Sequence, residues 1–160
     1  MTLFHGFGVF ASSGSRGAAG AGYAVGGQIP NRDTVDKFLF SNDSRTTLAT
    51  GLSSPRYQLA GFASATAGYA AGGSPPTTTT VDKFLFSDDS RSTLATGLSV
   101  ARRYVAGFAS TTAGYVAGGN EDVAGTVATV DKFLFSNDSR TTLATGLSAA
   151  VRYATGFASQ

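Results

Sequence analysis

Residues 34–53 return unchanged as residues 129–148, and return again as residues 80–99 with two substitutions, Asp88 for Asn and Ser92 for Thr. A stretch present three times in 160 residues is a structural unit, so the fold must be built from three like pieces. Other landmarks keep the same step. Gly22-Tyr23, Gly68-Tyr69 and Gly114-Tyr115 stand 46 residues apart, and each leads to a glycine pair: Gly26-Gly27, Gly72-Gly73 and Gly118-Gly119. Val-Asp-Lys begins at 35, 81 and 130, so the second step is 49 residues. The three extra residues fall within Asn120–Ala128, which marks that segment as a loop.

Each repeat offers four short strands. The first covers Tyr57–Ser64, Tyr104–Ser110 and Tyr153–Ser159 in turn, and Phe10-Ala11-Ser12 echoes its Phe-Ala-Ser. The second is the Gly-Tyr segment with its glycine pair, the third is Thr-Val-Asp-Lys-Phe-Leu-Phe, and the fourth runs from Arg45, Arg91 and Arg140. All are rich in aromatic, β-branched or small residues. Ser41-Asn42-Asp43-Ser44 forms the turn between the third and fourth, because short polar side chains bond nearby backbone. Val35 and Leu39 share one face of the third strand while Phe38 and Phe40 share the other, which implies a sheet covered on both sides. No window has sustained helical periodicity. Residues 1–21 form a divergent N-terminal segment, with a candidate strand over 4–12 and a Gly/Ala/Ser linker over 13–21. Residues 22–160 hold the three repeats, at about 22–64, 65–110 and 111–159.

Composition excludes several classes. Charged residues are 14% of the chain, but twelve Phe and six Tyr argue against disorder. Net charge is +2 and no basic cluster exceeds Arg102-Arg103, which gives nucleic acid no footprint. There is no cysteine for disulfides, thiolate zinc sites or thiol catalysis. No apolar run reaches membrane-span length, and Met1–Phe10 has no basic residue ahead of it, so it is a poor signal peptide. The chain is expected to be soluble, with an extracellular or virion-associated location open to it.

The order Gly-Tyr-x-x-Gly-Gly, variable loop, Val-Asp-Lys-Phe, turn, Leu, Gly-Leu-Ser and Arg resembles the kelch repeat over about Gly22 to Ser159. The resemblance implies an all-β fold, a β-propeller of four-stranded blades. The sequence departs from the kelch pattern in having no Trp, with Thr47-Leu48 in its place, and in the closing arginine: Arg56 and Arg102 match Val151, while Tyr57 matches Arg103 and Arg152. Closed propellers have about 4–8 blades, so three repeats require a partner. The expected assembly is a homo-oligomer, preferably a dimer. In it, Tyr153–Ser159 of one chain completes the blade begun by Gly22–Gly27 of another, closing a six-bladed ring. A fragment of a longer chain and an open fibre are the alternatives.

Function is expected in what varies. The loops after the glycine pairs and the connections between repeats differ most, and strand alternation puts both on one side. Arg32, Arg56, Tyr57, Arg102, Arg103, Tyr104, Arg152 and Tyr153 are the candidate contacts for a partner. The reading is a non-enzymatic interaction or structural module with no cofactor. Its expected partners are itself and a protein or glycan. A multivalent lectin with equivalent clefts between blades, and a virion or extracellular fibre component, are the alternatives. Asp36, Asp82 and Asp131 recur before lysine; local pairing or backbone bonds suit them better than a metal. Asp43 beside Arg45, with its copies in the other repeats, reads as a solvated turn. His5 is the sole histidine, so no His-dependent triad can be built within one chain. Gly17–Gly22 lacks the Lys-Ser/Thr ending of a phosphate loop.

Overall fold

The computed structural model describes residues 8–11, by their backbone, and residues 20–159. The expected linker over 13–21 lies almost wholly outside them. The protein is all-β. Sheet 1 contains β1 (Gly8–Ala11), β2 (Ala21–Gly27), β3 (Arg32–Leu39) and β4 (Ser44–Thr47). Sheet 2 contains β5 (Ala60–Ala63), β6 (Ala67–Ala71), β7 (Val81–Leu85) and β8 (Arg91–Thr93). Sheet 3 contains β9 (Ala106–Ala109), β10 (Ala113–Ala117), β13 (Val130–Leu134) and β14 (Arg140–Thr142). Between β10 and β13 the longer third loop folds into a hairpin of β11 (Asn120–Glu121) and β12 (Gly125–Thr126).

Each large sheet is an antiparallel meander in chain order, and the register repeats. Phe10 faces Tyr23, Phe62 faces Tyr69 and Phe108 faces Tyr115 across the first pair of strands. The turn chemistry is as expected: Asn42, Asp88 and Asn137 each accept the amide of the serine two residues on, at 3.0–3.1 Å. Tyr153–Ser159, expected as a strand, forms none, whereas its counterparts β5 and β9 each pair with a neighbouring strand.

The sheets pack face to face through two apolar seams. Tyr23, Val25, Val35, Leu52 and Leu59 meet Ala70, Phe84 and Phe86 between sheets 1 and 2. Phe62, Tyr69, Ala71, Val81, Leu98 and Val105 meet Val116, Phe133 and Phe135 between sheets 2 and 3. Each buried aromatic ring stabilises its seam by roughly 1.5–3 kcal/mol. Sheet 2 is covered on both faces, as the apolar residues of β7 require. Among the described residues sheet 1 is covered on one: Phe84 and Phe133 are buried, but their counterpart Phe38 is 39% exposed and Phe40 is 56% exposed.

The kelch-like propeller is corrected by this arrangement. The sheets are separate, none closes or curls, and they are not disposed around an axis as blades are. The ring of two chains falls with it, as does the interaction module built on a ring. The multivalent lectin loses its premise too, since the spaces between sheets are packed seams and not clefts. The fibre alternative rested on the same blades and is corrected with them. The physical reason is that apolar faces dictate which sheet packs on which, and say nothing of whether the last meets the first. The glycine pairs have a local explanation. Gly72 has φ +68°, and a Cβ there would lie 2.6 Å from Arg102 O on the connection leaving sheet 2. Among the described residues no helix is long and apolar enough to cross a membrane.

Candidate functional site

The chain leaves each sheet by one route. Leu52 donates its amide to Asp33 O at 2.6 Å, Leu98 donates to Thr79 O at 2.8 Å, and both side chains are buried. This aims the following serine and arginine at the next sheet. Ser53 donates to Asp82 Oδ2 from its amide at 2.8 Å and from Oγ at 2.9 Å; Ser99 does the same to Asp131 Oδ2, both at 2.9 Å. Arg56 Nη2 lies 3.0 Å from Asp82 Oδ2, and Arg102 Nη2 lies 2.6 Å from Asp131 Oδ2. Both arginines also donate to carbonyls of the sheet they enter: Arg56 to Ala70 and Gly72, Arg102 to Gly118 and Thr129. The other carboxylate oxygen is held within its own sheet, by Thr93 at 2.6 Å and Thr142 at 2.7 Å.

Burial drives both carboxyl groups upward. At Asp82 it is outweighed by hydrogen bonds from Thr93 and Ser53 and by the charge of Arg56; at Asp131, by bonds from Ser99 and Thr142 and by Arg102. Both therefore sit below the ordinary aspartate value. Burial lowers the two guanidinium groups against the pull of their carboxylates, and they remain charged. Arg56 and Arg102, expected to face a partner, thus lie inside the seams.

A second set of bonds closes each seam at its edge. Tyr23 Oη donates to Asp89 Oδ1 at 2.8 Å, and Lys37 Nζ lies 2.7 Å from Asp89 Oδ2. Tyr69 donates to Asp138 at 3.0 Å, and Lys83 lies 2.7 Å from Asp138. Burial and the neighbouring aspartate hold both phenols above the usual tyrosine value. Phe86 stacks on Tyr23 at 5.3 Å, and Phe135 stacks on Tyr69 at 5.6 Å. The turn aspartates of sheets 2 and 3, expected to be solvated, are the acceptors of the sheet before them. Their arginine neighbours turn elsewhere: Arg91 Nη1 lies 3.5 Å from Asp82 and Arg140 Nη1 lies 3.5 Å from Asp131, each across its strand pair.

Four of the remaining candidate residues, Arg103, Tyr104, Arg152 and Tyr153, lie together. Gln58, Tyr104 and Tyr153 occupy equivalent positions with φ of 61°, 56° and 60°. They are laddered: Tyr104 N donates to Gln58 O and Tyr153 N donates to Tyr104 O. The Tyr104 and Tyr153 rings lie 4.2 Å apart, tilted by 48°. The Arg103 guanidinium sits over the Tyr104 ring at 5.7 Å, and that of Arg152 over Tyr153 at 5.4 Å. A hydrogen bond with Tyr104 raises the Tyr153 phenol. Arg103 also holds Asp122 Oδ1 at 2.6 Å and Thr77 Oγ1 at 2.7 Å, joining the loops of two repeats. Around Arg103, then, the loops of the second and third repeats meet one connection. Tyr57 is half-buried and pairs through its backbone with Ser74, and Arg32 is exposed at the start of β3.

Sequence reasoning missed Ser53, Ser99, Lys37, Lys83, Tyr23 and Tyr69 as members of these sites. Their recurrence was visible; that each bonds one sheet over was not. Among the described residues no group of three or more acidic or His side chains could hold a metal ion. No family model matches the chain, and no curated protein matches it.

Proposed function

We propose that the chain is a non-catalytic interaction module that meets a protein partner through the loop-side cluster of Arg103, Tyr104, Arg152 and Tyr153. The observation that supports this is the pair of tyrosine rings, 49 residues apart in sequence, lying together with a guanidinium over each. Tyr153 is half exposed and Arg152 is exposed. Tyrosine and arginine carry much of the energy in protein interfaces, because each combines broad contact area with a fixed polar group. Arg103 is paired with Asp122, but Arg152 has no acidic partner among the described residues, and its charge beside the rings favours an acidic segment with an aromatic residue. A second partner is another copy of the chain, met at the ends of the row of sheets and not at this cluster.

The test is an NMR titration of isotope-labelled protein with a short peptide containing Glu, Asp and Tyr, beside a glycan array. Shifts confined to residues 103–104 and 152–153, and lost in R152A/Y153A, support the reading. Shifts unchanged by that variant, or binding to glycans only, overturn it.

A further inference from the structure

We propose that the open face of sheet 1 is a docking surface for sheet 3 of a second copy of the chain. This rests on reading another copy as a partner, and deepens it by naming the residues that meet. Both seams within the chain use one vocabulary. The earlier sheet supplies serine, arginine, tyrosine and lysine; the later sheet supplies two aspartates and two phenylalanines. The ends of the row hold the unmatched halves of that vocabulary.

Sheet 1 presents the acceptor half. Asp36 stands where Asp82 and Asp131 stand, but its side chain is 32% exposed. Among the described residues it has Arg45 and Thr47 from its own sheet, and no serine or arginine from another. Asp43 is exposed and occupies the place of Asp89 and Asp138, with the same left-handed backbone, φ 55° against 56° and 57°. Phe38 and Phe40 stand exposed where Phe84 and Phe86 are packed.

Sheet 3 presents the donor half. Tyr115 faces Lys132 across β10 and β13, as Tyr23 faces Lys37 and Tyr69 faces Lys83. The connection after β14 follows the common route: Leu147 N donates to Ala128 O at 2.8 Å, which leaves Ser148 where Ser53 and Ser99 begin their contacts. Gly119 N donates to Val151 O at 2.8 Å, as Gly27 N donates to Arg56 O and Gly73 N to Arg102 O. The backbone at 151 is therefore placed to deliver an arginine, and delivers valine. In the docked pair Ser148 donates to Asp36, Tyr115 and Lys132 bond Asp43, and Phe40 stacks on Tyr115. The missing arginine makes this contact weaker than either internal seam.

Sedimentation velocity over a concentration series tests the docking, using the full chain as wild type, V151R, V151R/D36N and D43N. Val151 and Asp36 are partly exposed, so these variants keep the fold, and circular dichroism checks that they do. V151R is expected to associate at a concentration at least about tenfold lower than wild type, as a desolvated charge pair does. Adding D36N is expected to remove that gain, and D43N to weaken association. V151R remaining as monomeric as wild type overturns the docking. A gain that survives D36N also overturns it, while leaving another copy as a partner by some other face.

Discussion

Arg56 and Arg102 show how a residue's role depends on which sheet its side chain enters. In the sequence each is a basic residue in a variable connection beside an aromatic position, which is the description of an interface contact. In the structure each is fully buried against an aspartate 26 or 29 residues further on. Nothing in composition or spacing distinguishes the two, because the partner lies one repeat away. Buried ion pairs cost much to desolvate, so removing one partner leaves an uncompensated charge. Arg102→Met is expected to destabilise the protein by about 3–5 kcal/mol in urea unfolding. Asp122→Ala removes the exposed pair with Arg103 and is expected to cost less than about 1 kcal/mol. Similar losses for both would mean that the seam pair is not desolvated. Acid adds a second check. Asp82 and Asp131 are lowered in the folded protein, so the unfolded chain binds protons first as pH falls. Their contribution is complete above the unfolded value of about 4 and is lost as pH drops through the folded value. The urea midpoint is expected to fall on acidification below about pH 4, and to fall less in D82N/D131N.

At the scale of elements, strands and turns were readable because they depend on local chemistry. The twofold alternation of β3 and its copies, the aromatic residues of β2 and the Asx turns all appear where the residues place them. The glycine pairs were readable as conformational marks, but their neighbours were not. Gly72 and Gly125 have nearly the same left-handed φ, 68° and 75°, in different surroundings. A Cβ at Gly72 would press on Arg102 O and lie 3.0 Å from Leu98, whereas nothing lies within 4 Å of one at Gly125. Gly125→Ala therefore bears only the left-handed backbone cost of roughly 1–2 kcal/mol. Gly72→Ala is expected to cost at least about 1 kcal/mol more in the same unfolding measurement, the overpacking part alone. Equal costs would show that the connection leaving sheet 2 does not hold the glycine closely.

For the whole molecule, the number of sheets was countable from the repeats and their closure was not. A sheet with apolar residues on both faces needs two neighbours, and the copies of β3 carry that demand equally. Among the described residues only sheet 2 has it met: Phe84 and Phe133 are covered by the preceding sheet, while Phe38 has none before it. Identical sequence in unequal surroundings must give unequal local stability, since opening free energy follows buried contacts more than strand propensity. Hydrogen exchange on dilute protein is expected to show the slowest amides in β6 and β7. The matching amides of β3, with the same residues from Val35 to Leu39, are expected to exchange at least about tenfold faster. β13 belongs between them, because Phe133 is buried on one face while Tyr115 and Lys132 on the other are half-buried, with no sheet packed on them among the described residues. Uniform protection of the three copies at low concentration would mean that the outer faces are covered in the monomer. Protection of β3 that rises with protein concentration would locate the missing neighbour on another chain.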